Sequence, residues 1–268
     1  EKAREYDDWR LVFEHSRTLY TYIDLIRVLE PDLAKVVGPM EKGGTAQVRI
    51  AVTAGQVVGR MGGNRGLDFG AVDLASEAKG FAEVEDYTAR EAWRLFCVDP
   101  FALYDEPLRG EVLERDTRIA EPRGGEVACD VPGKLHGGWF LEGTGFYAGK
   151  GDPRGYWIGH LHIGHHYVAT DRLFVAIGDY EGKPMQFGVK GDAPDPAGVG
   201  AESGVVKVEL TMATRPSGPD PFADSDERVL AVMLVELLGE RKLRVELFPG
   251  KTAAEVEGFT SAARIYER

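Results

Sequence analysis

The densest concentration of chemistry-capable side chains is the run His160-Leu161-His162-Ile163-Gly164-His165-His166, which holds four of the six histidines in the chain. On a strand, alternate side chains share a face. His160, His162 and His166 then fall on one side, and Leu161, Ile163 and His165 on the other. Two imidazoles two residues apart can reach one metal, and His-x-His is a zinc-ligand spacing. His160, His162 and His166 are therefore the candidate metal ligands, zinc is the candidate metal, and His136 is a further source of a third ligand. The competing reading turns Leu161 and Ile163 into a core and leaves the histidines on the wet face. No cysteine or acid stands beside them in sequence, so no cofactor is the first expectation.

A second concentration is aromatic: Trp139, Phe140, Phe146, Tyr147, Tyr156 and Trp157. Most of these suit a core. Trp139, Tyr156 and Trp157 are the candidate ligand-binding residues if they line an apolar pocket. Other chemistries find less purchase. Asp179, Glu181, Asp192 and Asp195 lie between apolar runs without the spacing of a calcium loop. Neither Ser16 nor Ser203 sits in a nucleophile elbow, and Gly149-Lys150-Gly151 lacks the phosphate-loop spacing. No catalytic residue is identified. Cys97 and Cys129 read as two buried free thiols, with a disulfide as the alternative for an exported chain.

The elements that must position these residues are mostly strands. Residues 10–15 alternate as a strand, Val48, Ile50 and Val52 alternate with Arg49, Ala51 and Thr53, and residues 67–72 return as another. Ala54-Gly55-Gln56 and Gly62-Gly63-Asn64 are turns. Short helices are expected at 32–37 and 105–115, the latter after Glu106-Pro107 with an apolar stripe of Leu108, Val112 and Leu113. Glu121-Pro122-Arg123-Gly124-Gly125 is the linker candidate, dividing the chain into domains at 1–122 and 123–268. Beyond it come eight runs at 135–147, 155–168, 172–180, 184–190, 204–213, 229–238, 241–248 and 261–267. Eight strands with hairpin-like links suggest an antiparallel meander, closed as an up-and-down barrel. The fold class expected is mainly β: a β-sheet domain, then an antiparallel barrel or sandwich, with a few short helices.

Two stretches carry family resemblances. Val52-Thr53-Ala54-Gly55-Gln56-Val57-Val58-Gly59, followed by Gly66-Leu67-Asp68-Phe69, resembles the end of the catalytic domain of lysostaphin-type (LytM-like) zinc endopeptidases, which cut peptidoglycan cross-links. The resemblance covers residues 8–75. It implies a β-sheet fold in which a histidine at Asp68 would bind zinc. It also implies a histidine at Tyr22, within Thr18-Leu19-Tyr20-Thr21-Tyr22-Ile23, that would help activate water. Both positions have changed, so the resemblance implies a degenerate, non-catalytic copy. In the second half Gly137-Gly138-Trp139 resembles the G-x-W of lipocalin-like (calycin) barrels. That resemblance implies that a basic residue near the last strand, Arg264 or Arg268, stacks on the tryptophan.

A net charge of −12 argues against nucleic-acid or anionic-membrane surfaces, which need clustered Lys and Arg. No run has the apolar length of a transmembrane helix. The function expected is non-catalytic binding in the cell envelope or outside the cell, with an exported location. The ligand is a cell-wall fragment, a small molecule or another protein. The alternatives are a metal-dependent hydrolase built on His160 and His162, and a lipocalin-like carrier of a small apolar ligand.

Overall fold

A computed structural model describes residues 8–41, 43–62, 66–149, 155–213 and 228–268. The chain forms two compact units, Glu1–Ser76 and Glu77–Arg268. The expected boundary at 122/123 falls inside the second unit. Side chains before it are tied into that unit: Tyr87 donates its hydroxyl to Asp130 Oδ2 at 3.0 Å, and Arg118 Nη1 donates to the Tyr167 carbonyl at 2.6 Å.

The first unit is a small antiparallel sheet. Its strands are β1 (Trp9–Glu14), β2 (Leu19–Leu29), β3 (Gly59–Met61) and β4 (Asp68–Asp73), with the helix α1 (Pro31–Val37) after β2. The long β2 is central, pairing with β1 on one side and with β4 and β3 on the other. Proline at the first turn starts α1 without losing a helical hydrogen bond. Ile26, Leu29 and Leu33 form the buried core, flanked by Trp9, Leu11 and Ile23. The expected strand over Val48, Ile50 and Val52 is not formed; that stretch has no ladder partner among the described residues, and Val48 and Val52 are exposed. Alternation alone does not make a strand when no neighbour satisfies its backbone. The expected turn at Gly62-Gly63-Asn64 lies partly outside the described residues.

The second unit begins with short turns, the two-residue β5 (Cys97–Val98) and the helix α2 (Leu108–Leu113), which sits within the expected 105–115. It then closes into an eight-stranded barrel. The strands are β6 (Gly137–Leu141), β7 (His160–His165), β8 (Leu173–Tyr180), β9 (Lys183–Lys190), β10 (Val206–Met212), β11 (Ala231–Gly239), β12 (Lys242–Pro249) and β13 (Arg264–Glu267). Each pairs antiparallel with the next, and β13 returns to β6. This is the mainly-β, up-and-down architecture that the eight expected runs imply. Closure pairs the first and last strands and so removes their free edges.

Alternation sets what the barrel encloses. Trp139, Leu161, Val175, Phe187, Leu210, Met233, Val235, Leu243 and Tyr266 point inward and are almost fully buried. On the outside of β11, Val232 and Leu234 are covered by Val256, Phe248 and Phe259. That cover is fastened where Thr260 N donates to Glu246 Oε2 at 2.7 Å.

Candidate functional site

Three places could carry function. The first is one face of the small sheet. Register places Tyr22 opposite Gly70 and Asp24 opposite Asp68, so these side chains share a face. The Tyr22 ring lies where a side chain on residue 70 would stand: a Cβ there would come 2.4 Å from the ring. Arg10 reaches across from β1. Its Nε donates to Asp24 Oδ2 at 2.8 Å, and its guanidinium carbon lies 5.4 Å from the Tyr22 ring centroid. Two carboxylates directly opposite each other repel, and the guanidinium offsets that repulsion. The face thus holds a phenol, an ion pair and a carboxylate, with a fixed positive charge among them.

The second is the barrel interior. Trp139 is fully buried there, with its Nε1 donating to the Leu135 carbonyl at 2.9 Å. The Arg268 guanidinium carbon stacks 4.0 Å from the Trp139 ring centroid. Of the two arginines expected to do this, Arg264 instead bonds Asp179 Oδ2 at 3.1 Å. A cavity of about 20 Å³ remains, bordered by Leu135, Ile163, Val175, Val208 and Met233. A pocket for a drug-sized ligand needs roughly 300 Å³ or more, and an apolar void of this size stays dry. Trp139 belongs to a packed core.

The third is the outer face of β6 and β7 with the turns packed on it. Tyr156 and Trp157 lie in a 3-10 turn before β7, outside the barrel. Trp157 is 40% exposed, and the Arg90 guanidinium carbon stands 3.9 Å from the Tyr156 ring centroid. The His160 ring meets Phe140, Tyr147 and Tyr156 at 5.1–5.5 Å, and its Nε2 bonds the Tyr147 carbonyl at 3.1 Å. Burial holds its pKa below the ordinary histidine value. Glu91 completes this cluster, accepting from Arg94 Nε at 2.8 Å and from the Tyr147 hydroxyl at 3.4 Å.

Among the described residues the ring contacts of His162 and His160 are different ones. The His162 ring faces His136, with centroids 6.4 Å apart, and His165 stands 5.6 Å from His136 on another side. Burial first, and the neighbouring His136 second, pull the His162 pKa down to about 4. His166 leaves the strand. It is 2% exposed, and its Nδ1 accepts from Val168 N and Ala169 N, both at 3.1 Å. The trio expected from the sequence is therefore not assembled. What the fold brings together is His136 with His162 and His165. No periodicity signals this, because His136 precedes β6 and reaches β7 only through the β6–β7 pairing. Among the described residues no group of three His, Cys, Asp or Glu side chains is set to hold a metal ion.

Both cysteines are free thiols. Burial raises the Cys97 pKa and lifts that of Cys129 to about 11. Neither supplies a thiolate nucleophile at neutral pH. Among the described residues no helix is long and apolar enough to cross a membrane. Comparison with known proteins finds no match, whether to a family model, a curated protein or a solved structure.

Proposed function

We propose that this chain is a non-catalytic binding protein of the cell envelope. In this reading a lysostaphin-type sheet has given up its metal chemistry, and a lipocalin-like barrel serves as a packed scaffold. The ligand class is a cell-wall fragment, and an exported location goes with it. One observation carries the reading. The face that would hold zinc and activate water presents Tyr22, Asp68 and the Arg10–Asp24 ion pair. A hydrolytic zinc needs three protein ligands and an open water position. Arg10 is paired with Asp24 and Asp68 adds a net negative charge, so the face suits the amine and amide groups of a wall peptide, while the half-buried Tyr22 phenol suits a sugar or peptide face.

The two alternatives draw less support. A carrier needs an interior volume, and among the described residues the inward side chains of this barrel pack into one apolar core. A hydrolase on His160 and His162 needs both imidazoles free to face one metal, and His160 Nε2 is turned to the Tyr147 carbonyl.

The test is co-sedimentation of the chain with purified cross-linked peptidoglycan, read beside an assay for newly released amino groups with and without added zinc. The expected outcome is binding without cleavage, weakened by Tyr22→Ala and by Arg10→Ala. Zinc-dependent cleavage, or no binding at all, overturns the reading.

A further inference from the structure

The pairing of β6 with β7 sets Gly138 opposite His162 and Gly137 opposite Ile163. The residue just before β6 is His136, so its ring comes to rest beside that of His162 on the outer face. The two rings converge over Gly164. A Cβ on residue 164 would lie 2.9 Å from His162 Nε2 and 3.0 Å from His136 Nε2. Both nitrogens therefore border one small volume, which a side chain on residue 164 would enter.

The protonation pattern suits a ligand pair. His136 Nδ1 lies 2.6 Å from the Cys129 carbonyl. A carbonyl only accepts, so Nδ1 carries the proton and Nε2 presents its lone pair. A ring nitrogen anchored on a backbone carbonyl, with the opposite nitrogen free, is the usual support for a metal-bound histidine. His162 brings its Nε2 to the same place.

We propose that His136 and His162 form a two-imidazole binding site for a divalent transition metal that favours nitrogen donors, such as Cu²⁺ or Zn²⁺. The metal sits over Gly164, and water fills its remaining positions. With two protein ligands the site is not a hydrolytic centre. It cross-links the segment before β6 to β7. That segment also holds the 193–200 loop, through Leu135 N to the Val199 carbonyl at 2.9 Å and His136 N to the Pro196 carbonyl at 3.2 Å. Bound metal therefore stiffens this end of the barrel. The site lies in the other unit from the peptidase-like sheet and stands or falls apart from the peptidoglycan reading.

The test uses the full chain, stripped with a chelator and titrated with Cu²⁺ or Zn²⁺ by calorimetry, with electron paramagnetic resonance on the copper form. The expected result is one metal per chain, two equatorial nitrogen donors on copper, and a higher melting temperature on loading. His162→Ala and His136→Ala each weaken the site by more than about tenfold. Gly164→Ala does the same while keeping both histidines in the chain, because its methyl group enters the shared volume and displaces the rings from it. His15→Ala, in the other unit, changes nothing. Less than stoichiometric binding, a copper spectrum without two nitrogens, or affinity unchanged in His162→Ala and Gly164→Ala overturns the proposal. The spectrum of the unaltered chain decides even where a variant fails to fold.

Discussion

Arg268 concentrates several structural contacts in one buried side chain. It is 1% exposed. Its Nη1 donates to the His136 carbonyl at 3.0 Å, its Nη2 to the Val131 carbonyl at 2.7 Å, and its flat face covers Trp139. Asp130 stands 4.0 Å from Nη1, beyond hydrogen-bond range but close enough to balance the charge. Removing one partner from such a network leaves buried acceptors unpaired. Arg268→Ala is expected to cost on the order of 3–5 kcal/mol, read from the urea midpoint. Arg268→Lys is expected to recover only part of this, because an ammonium neither forks nor stacks. A second residue-scale expectation concerns acid. Burial lowers the His166 pKa, and its Nδ1 already accepts two backbone N–H groups. The unfolded chain therefore takes up this proton more readily than the folded one. The stabilisation is present above the ordinary histidine pKa and is lost as pH falls below it. Unfolding midpoints measured from pH 8 down to 5 are expected to decline, and His166→Gln to flatten that decline.

At the scale of elements, the barrel strands show how alternation turns into packing. In β9, Met185, Phe187 and Val189 face the core while Gln186 and Lys190 face out. Phe187 is fully buried and contacts the Tyr180 ring at 5.0 Å. Phe187→Ala is expected to cost about 3–5 kcal/mol by transfer and cavity terms together, again from the urea midpoint. Barrel strands such as β9 and β10 were legible because they have one wet face and one dry face, which the residue types record, and β11, buried on both faces, reads instead as an apolar run. The stretch around Val48 and Val52 shows the limit of that signal. It alternates as well as β9 does, but among the described residues no strand pairs with it, and its valines stay exposed. The histidine run shows another limit. Alternation correctly separated His160 and His162 from Leu161 and Ile163, yet could not tell that the strand ends at His165 and releases His166.

At the scale of the whole molecule, the two units differ sharply in what holds them. The barrel encloses a continuous apolar core running from Leu135 to Tyr266, whereas the small sheet buries Ile26, Leu29 and Leu33. Fewer buried side chains mean less hydrophobic stabilisation. Scanning calorimetry of the intact chain is expected to show two transitions, the lower one belonging to residues 8–76. A chain of residues 77–268 is expected to keep the upper transition unchanged. A single transition that disappears in the shortened chain would mean that the units unfold as one.

By itself the sequence determined the mainly-β class, the eight strands of the barrel and the tryptophan that anchors them. All of these depend on local pattern: a period of two, turn residues between runs, and a short motif. Tertiary structure alone decided which arginine stacks on Trp139 and that the compact units divide at Ser76. It alone decided, too, that Trp139 is packed within the barrel core and that His162 finds His136 rather than His160 or His166. Those outcomes depend on strand register and closure, which bring together residues far apart in the chain, and no local period encodes such a distance.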